Sequence, residues 1–270
     1  MTEPWPFGSS FLALTWSPIE DSDTFTGPTR RTQPDGTYRT PDAADAPPFR
    51  DHRLRGTASR SRGCRPVLGG PAGGGRDAIS EVPADRWDVE EFFDSDPDAA
   101  GKMVTRRAGF VDDVTGFDAP FFGGVSAREA NLMDPQHRLL LETSWRAVEH
   151  SGTAPTTLAN TRTGVFVGLA THDFLGMASD SLTYPEIEAY LAVGTSSAAA
   201  AGRISYRLGG LQGPPAVTVD TACSSSLVAI HQACQALLLD ECDLALAGGV
   251  NVMLSPATMI TFSHSRMLAP

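Results

Sequence analysis

The chain has 270 residues, of which 41% are hydrophobic, and a formal net charge of −11. This length and composition are sufficient for one large domain or two small ones with a sizeable buried core. The acidic balance argues against nucleic acid or an anionic membrane as the main partner, because both favour a basic protein surface.

The first residues lack the features of a targeting or membrane segment. The opening MTEPWPFGSSFLALTWSPIE has no cationic start and only a short apolar run. Neither a signal peptide nor a membrane span is predicted, and we expect a cytoplasmic protein. The four cysteines form neither a C-x-x-C motif nor a paired His/Cys spacing, so we predict no metal site and no disulfide framework. They are Cys64, Cys223, Cys234 and Cys242.

Residues 1–76 differ in composition from the rest of the chain. They are rich in Pro, Gly, Ser, Thr and Arg and show no sustained period of 2 or 3.6 residues. Such a composition is typical of disordered or linker segments, so we predict a disordered or aberrant tail over 1–76 and a folded domain over 77–270. A nucleic-acid-binding arm is the alternative for the arginines of the tail, but no interleaved aromatic residues support it.

The first clear helical signals lie in GVSAREANLMDPQHRLLLETSWRAVEHSG. Ser126 and Glu129 have the spacing of a capping box, and Asp134 followed by Pro135 is typical of an N-cap and first helical residue. Gly152 stands where a helix commonly ends in a left-handed residue. The segment therefore predicts two consecutive helices.

Strand and helix signals then alternate along the chain. TGVFVGLA (163–170) and PAVTVD (215–220) are short apolar runs typical of buried strands. SSAAAAGRISYRLGG predicts a helix that starts at Ser196 or Ser197 and ends at Gly209. SSSLVAIHQACQALLLD predicts another helix, and CDLALAGGVNVML one or two further strands. The alternation indicates an α/β fold with a largely parallel sheet.

Cys223 is the candidate reactive residue because it follows the predicted strand at 216–219 and directly precedes a helix. A helix N-terminus favours a thiolate over a thiol by about 0.3–1 kcal/mol. The backbone N–H of Cys223 would also be available to an oxyanion formed on an attacked carbonyl. We expect the hydroxyls of serines 224–226 to satisfy free N–H groups of the first helical turn. Cys234, in mid-helix, is expected to be a core residue.

The residues around Cys223 carry a family resemblance. GPPAVTVDTACSSSLVAIHQACQALLLDECDLALAGGVNVMLSP resembles the nucleophile region of the β-ketoacyl synthase (ketosynthase) domains of modular type I polyketide synthases, which are thiolase-like condensing enzymes. ISEVPADRWDVEEFFD, GFDAPFFGGVSAREANLMDPQHRLLLETSWRAVEHSG, TGVFVGL and GTSSAAAAGRISYRLGG are similar to segments of the same family. The resemblance covers residues 77–270 and implies the N-terminal half of the layered αβαβα thiolase-like fold.

The resemblance also implies a reaction of polyketide or fatty-acid biosynthesis. In this family the thiol at the position of Cys223 accepts an acyl group from the phosphopantetheine of an acyl carrier protein. The acyl group then undergoes a decarboxylative Claisen condensation with a malonyl-type extender. No bound cofactor is expected. The implied partners are the carrier protein, a C-terminal ketosynthase half or other polyketide synthase modules, and a second copy, because intact family members form homodimers.

The acid–base residues that the family uses are two histidines of its second half, and no histidine of this chain matches their motifs. Those present are His52, His137, His150, His172, His231 and His264. We expect His137 and His150 at the surface or a helix end, His231 in core packing or in an interface between two copies, and His172 as a candidate cleft residue. One positioned acid–base group contributes about 10² to 10⁴ in rate, so this chain alone is not expected to complete the condensation.

Two other functions remain open at this point. The chain could be a non-catalytic remnant that pairs with a separate second half or an intact synthase; the helix after Cys223 is apolar around most of its circumference and expects cover from two layers. The second alternative is a cysteine hydrolase, although no His-Asn or His-Asp pair is placed to orient a base.

The family opens with an apolar strand and a Gly-Cys-Arg-x-Pro-Gly-Gly turn. This chain contains only a partial match to the turn, GCRPVLGG. We therefore predict a shifted reading frame or a misassigned start before residue 76.

Overall fold

A computed structural model describes residues 9–15, 79–111, 113–183, 189–211 and 216–268. The strands are β1 (Ser9–Thr15), β2 (Ser80–Glu81), β3 (Arg107–Ala108), β4 (Thr163–Gly168), β5 (Val217–Val219) and β6 (Leu244–Val250). The α-helices are α1 (Val89–Phe92), α2 (Ala127–Asn131), α3 (Pro135–His150), α4 (Asp173–Ser181), α5 (Ala189–Thr195), α6 (Ser197–Arg207), α7 (Ser225–Leu238) and α8 (Ala257–His264). Short 3₁₀ helices span Pro155–Leu158 and Ala222–Ser224.

The main sheet has the strand order β1-β6-β4-β5. β4 pairs in parallel with both β5 and β6, and β1 is antiparallel to β6. The connections between the parallel strands contain helices, as parallel pairing requires. The prediction of an α/β fold with a largely parallel sheet is therefore confirmed, and CDLALAGGVNVML contributes one strand rather than two. β2 and β3 form a separate two-stranded antiparallel sheet.

Both faces of the sheet are covered, because alternate residues of β4 and β6 point to opposite sides. Val165 and Val167 of β4 and Leu246 of β6 belong to a core cluster with the apolar residues of α3 and α6. Phe166 and the β6 alanines pack instead against α7. All six residues of β4 are buried, as the sequence predicted for a strand covered on both sides. The result is a helix–sheet–helix sandwich.

Helix ends follow the predicted punctuation. The Ser126 hydroxyl accepts a hydrogen bond from the Glu129 N–H at 3.1 Å, and α3 begins at Pro135 behind the N-cap Asp134. Gly152 and Gly209 have φ angles of +85° and +99°, the left-handed conformation that ends a helix. The reciprocal bond of the capping box, from the Ser126 backbone N–H to the Glu129 carboxylate, is absent, because that carboxylate forms an ion pair with Arg203.

The first strand lies inside the predicted tail of residues 1–76. Ser9–Thr15 pairs with β6 along its whole length, from Ser9 opposite Val250 to Thr15 opposite Leu244. Within the segment that the sequence predicts to be a disordered or aberrant tail, these seven residues form a strand. A single short strand without alternation carries little local signal, and its pairing partner is more than two hundred residues away in the chain. Residues 16–78 lie outside the described part, and so do the reading-frame and domain-boundary predictions that concern them.

Helix α7 packs against the sheet through small residues. Ala229, Ala233 and Ala236 are at most 3% exposed and lie against β4 and β6, so the helix axis approaches the sheet closely. The opposite side carries apolar residues in contact with solvent: Leu227 is 69% and Leu238 44% exposed. The apolar circumference predicted for this helix is confirmed, and the described residues cover only one side of it.

Candidate active site

The candidate residues gather at one edge of the sheet. Because β4, β5 and β6 are parallel, their carboxyl ends share an edge, which is where α/β proteins commonly bind ligands. β5 continues through Asp220 to Cys223, β4 continues to Thr171 and His172, and β6 continues to Asn251. The sequence placed Cys223 at a strand-to-helix turn, and the structure has this arrangement.

The turn that carries Cys223 has an unusual backbone. Ala222 has a φ of 53°, a left-handed conformation that costs a non-glycine residue about 1–2 kcal/mol. The Asp220 carboxylate accepts a hydrogen bond from the Ala222 N–H at 3.0 Å and so holds this conformation. Residues Ala222–Ser224 form one 3₁₀ turn before α7 begins at Ser225. Cys223 lies in this turn, and its side chain is exposed at the protein surface.

Ser225 stabilises the same turn from within. Its buried hydroxyl accepts a hydrogen bond from the Thr221 N–H at 2.9 Å and donates one to the Ala222 carbonyl at 2.7 Å. The Ser224 hydroxyl donates to the Thr221 carbonyl at 2.8 Å. No side-chain cap bond is present at the start of α7, so the prediction that the serine hydroxyls cap this helix is wrong. The Ser224 and Ser225 hydroxyls bond instead to backbone groups of the turn before the helix.

Two glycines allow the first turn of α7 to approach the sheet. Gly168 of β4 and Gly249 of β6 are register partners. A Cβ added at Gly168 would lie 2.6 Å from the Ser225 carbonyl carbon and the Ser226 nitrogen, and one at Gly249 would lie 2.7 Å from the Ser226 Cβ. The start of α7, and with it Cys223, can lie this close to the sheet because neither glycine has a side chain. Sequence analysis missed this role, although a glycine near the end of each of two neighbouring strands is the signal for it.

The other cysteines have different environments. Cys234 is half-buried in α7, as predicted for a packing residue, and Cys242 is buried just before β6. Burial raises the pKa of both thiols above its ordinary value. Cys64 lies outside the described residues. Cys223 is therefore the exposed cysteine among those that the structure describes.

A polar network joins the loops after β4 and β6. The Gln136 side-chain amide donates to the Thr171 carbonyl at 3.0 Å, and the Thr171 hydroxyl lies 2.9 Å from the Asn251 Oδ1. The Asp173 carboxylate accepts hydrogen bonds from two successive backbone N–H groups of the loop after β6, at 3.0 and 3.1 Å. These bonds fix the loops that lie beside the Cys223 turn along the same edge. The sequence did not indicate them, because the partners come from distant segments.

The histidines are not placed as a group around Cys223. His137 was expected at a surface or helix end, but it is only 1% exposed, since it lies on the inward side of α3. Burial, together with the charges of Arg203 and His172, lowers the pKa of His137 to about 4, so this side chain is neutral at pH 7. His172 is exposed and follows β4 at the edge that carries Cys223. The remaining described histidines, His150, His231 and His264, are exposed.

Within the described residues, no hydrogen bond joins Cys223 to a histidine, and no group of three His, Cys, Asp or Glu side chains forms a candidate metal site. None of the helices in the described part of the chain is long and apolar enough to cross a membrane.

Comparison with known sequences identifies the family. The sequence model of the family described as "Beta-ketoacyl synthase, N-terminal domain" matches residues 73–270. Over 196 residues the chain is 55% identical to a component of the phenolphthiocerol/phthiocerol polyketide synthase of Mycobacterium tuberculosis, covering 73% of this chain and 10% of that protein. Over 199 residues it is 56% identical to a pikromycin polyketide synthase component of Streptomyces venezuelae, covering 73% and 5%.

Solved structures give the same result at the level of the fold. An oxazolomycin ketosynthase domain of Streptomyces albus superimposes with a TM-score of 0.64 and 40% identity, covering 71% of this chain and 33% of that one. The ketosynthase from module 6 of the bacillaene synthase of Bacillus subtilis gives a TM-score of 0.62 and 39% identity, covering 72% and 31%. The chain thus spans about a third of the solved ketosynthases and a tenth or less of these polyketide synthases. Sequence, fold and the predicted thiolase-like architecture agree, and the chain belongs to the β-ketoacyl synthase family, with its N-terminal domain at residues 73–270.

Proposed function

We propose that Cys223 is the acyl-accepting nucleophile of a ketosynthase reaction in polyketide or fatty-acid-type biosynthesis. The observation that carries the proposal is the exposed thiol on a strained turn between β5 and α7. A thiol at this place meets the positive end of the helix dipole and stands at the edge where α/β folds bind their ligands. The family membership of residues 73–270 supports the same reaction class.

The first step is an acyl transfer between two sulfurs. The Cys223 thiolate attacks the carbonyl carbon of an acyl thioester carried on the phosphopantetheine of an acyl carrier protein. Negative charge develops on the carbonyl oxygen, and a backbone N–H at Cys223 is available to stabilise it. Collapse of the tetrahedral intermediate expels the carrier thiolate, which takes up a proton, and leaves the acyl group on Cys223. Exposure of Cys223 gives a bulky protein-bound donor access to the sulfur.

The second step forms the carbon–carbon bond. A malonyl-type extender on the carrier protein loses carbon dioxide, and its carbanion attacks the acyl carbonyl on Cys223 and releases the cysteine thiolate. Polarising the extender carbonyl requires acid–base groups close to Cys223. His137 is buried and neutral, and within the described part no histidine is hydrogen-bonded to Cys223. We therefore assign these groups to a C-terminal ketosynthase half, and residues 73–270 alone perform the acylation but not the condensation.

The apolar side of α7 supports this division of labour. Leu227 is 69% and Leu238 44% exposed, although the same helix buries its alanines against the sheet. Exposed apolar side chains along one helix favour contact with a further protein layer. A C-terminal ketosynthase half, within a longer protein or as a separate chain, fits this face. A homodimer and other synthase modules are the further partners that family membership suggests.

Acylation can be tested directly by mass spectrometry of the full chain incubated with an acyl thioester of phosphopantetheine. We expect one acyl group on the peptide that contains Cys223 and none on the peptides that contain Cys234 or Cys242, because burial keeps those thiols protonated. Cys223→Ala removes the label, and Cys234→Ala is the matched control that retains it. Labelling that persists in Cys223→Ala would contradict the assignment.

A second function is favoured by the same apolar face: a non-catalytic protein that pairs with a separate second half or an intact synthase. Adding a C-terminal ketosynthase half together with malonyl-carrier protein separates the two functions. Condensation product that depends on Cys223 supports a split enzyme. Stable pairing without product, and without acylation of Cys223, supports the interaction protein.

A further inference from the structure

The start of α7 lies across the ends of two neighbouring strands. Gly168 of β4 and Gly249 of β6 are register partners, and a Cβ added to either one would meet Ser226 in the first turn of α7. β4 ends at Gly168, and β6 ends one residue after Gly249. The two loops that follow these strands therefore leave the sheet beside the turn that carries Cys223.

One carboxylate connects these two loops. Asp173, the first residue of α4, accepts hydrogen bonds at its Oδ2 from the backbone N–H groups of Leu254 and Ser255, at 3.0 and 3.1 Å. Both donors belong to the loop between β6 and α8, residues 251–256, which we call the β6 loop. Hydrogen bonds to a carboxylate are about twice as strong as bonds between neutral groups, and a negative charge is favourable in the first turn of a helix. Asp173 thus holds the middle of the β6 loop in place.

The β6 loop carries apolar side chains on the side of the molecule where the thiol lies. Val252 is 2% exposed and belongs to the main core. Met253 and Leu254 are half-buried and pack against two different core clusters, so part of each side chain still faces solvent. An apolar surface of this kind, beside a thiol that accepts an acyl group, is suited to contact with the hydrocarbon part of that group.

We propose that Asp173 is a positioning residue for the acylation of Cys223, because it fixes the β6 loop against which the incoming acyl chain packs. The inference rests on the proposed function and adds a residue that decides which acyl groups are accepted. Each methylene removed from water improves binding roughly fourfold, so the effect of the loop grows with acyl chain length. The Cys223 turn is held separately, by Asp220 and Ser225, so the reactivity of the thiol itself does not depend on Asp173.

The experiment compares three reactions of Cys223 in the full chain. Transfer from the acetyl and octanoyl thioesters of phosphopantetheine is followed by mass spectrometry over a range of thioester concentrations. Alkylation by iodoacetamide, a small reagent without a hydrocarbon chain, measures the thiol itself. Asp173→Ala removes both hydrogen bonds to the β6 loop, and Asp173→Asn keeps a neutral oxygen as acceptor. Asp180→Ala is the matched control, because Asp180 is exposed on the same helix and its loss changes the charge equally.

In Asp173→Ala we expect octanoyl transfer to slow by about tenfold, the contact of roughly one to two methylenes, while acetyl transfer and alkylation change by less than about twofold. Asp173→Asn should slow octanoyl transfer by about threefold, because the bonds to a neutral oxygen are about half as strong. Asp180→Ala should match the wild type in all three reactions. Selective loss of the longer acyl group is the result that a merely structural role would not give.

Equal octanoyl transfer in Asp173→Ala and the wild type would overturn the inference alone. Equal slowing of all three reactions would also overturn it, because the substitution would then disturb the whole site. A wild type that is alkylated on Cys223 but accepts neither acyl group would overturn the proposed function and the inference together. Should Asp173→Ala fail to fold, an unchanged ratio of octanoyl to acetyl transfer in Asp173→Asn would be the refuting result.

Discussion

Gly168 offers the sharpest test of how the candidate site is built, because the close approach between β4 and α7 depends on its missing side chain. In Gly168→Ala the new Cβ would lie 2.6 Å from two backbone atoms of the first turn of α7. Ordinary contact begins at about 3.4 Å, so the helix start has to move by about 0.8 Å, and backbone atoms cannot rotate away as a flexible side chain does. Overpacking of this kind costs about 1–3 kcal/mol.

The free energy of unfolding, measured by urea titration, should therefore fall by about 1–3 kcal/mol in Gly168→Ala. Gly202→Ala is the matched control: Gly202 lies within α6, and nothing lies within 4 Å of an added Cβ. That substitution should leave stability unchanged or raise it by about 0.5–1 kcal/mol, because alanine is the better helix former. Equal stability of the two variants would refute the reasoning.

The same displacement should reach Cys223, since α7 begins directly after the turn that carries it. A shift of about 1 Å in a reacting group can lower a rate by about 10²-fold. We expect acylation of Cys223 to slow by roughly 10- to 100-fold in Gly168→Ala and to keep its rate in Gly202→Ala. An unchanged acylation rate in a destabilised Gly168→Ala would show that the glycine supports the fold but does not position the thiol.

Three further substitutions test the electrostatics and hydrogen bonds around the site. Burial lowers the pKa of His137 to about 4, below the ordinary value of 6.5. Its contribution to stability is therefore complete above pH 6.5 and is lost as the pH falls toward 4. In urea titrations the free energy of unfolding should fall by about 3 kcal/mol over this range in the wild type, and His137→Gln should lack this loss. Glu129→Gln should cost about 3–5 kcal/mol in the same assay, because it leaves the buried Arg203 guanidinium without its partner. Ser225→Ala should cost about 1–3 kcal/mol by leaving two turn groups unpaired, whereas Ser224→Ala, on an exposed hydroxyl, should cost less than about 1 kcal/mol.

Each of these predictions has its own control. Burial raises the pKa of Asp134, and this shift changes stability with the opposite sign as the pH falls. Asp134 is present in both wild type and His137→Gln, so the difference between the two isolates the histidine. Parallel curves of stability against pH would contradict the lowered pKa of His137. Asp98→Asn is the control for Glu129→Gln, because it breaks an exposed ion pair with Arg266 and should cost at most about 1 kcal/mol. An equally small cost for Glu129→Gln would mean that the Glu129–Arg203 ion pair is effectively solvated. Equal effects of Ser225→Ala and Ser224→Ala would contradict the role given to Ser225.

The amino-acid sequence by itself determined the local features of this protein. The caps at Asp134 and Pro135, the glycine that ends α3, and the buried strand at 163–168 depend on neighbouring residues, so their signals are readable in a short window. The strand-to-helix turn at Cys223 and its family resemblance are local in the same sense. Backbone propensity, capping and strand burial all act over a few residues, and this explains why these predictions are confirmed.

Tertiary structure alone decided the features that join distant segments. His137 is buried because the inward face of α3 meets the sheet, β1 forms because it pairs with β6, and Gly168 positions Cys223 because α7 crosses β4 at that residue. Each depends on which surfaces meet once the chain is folded. A window of sequence contains no such information, because the free energy of these contacts belongs to pairs of residues that the chain separates by tens to hundreds of positions.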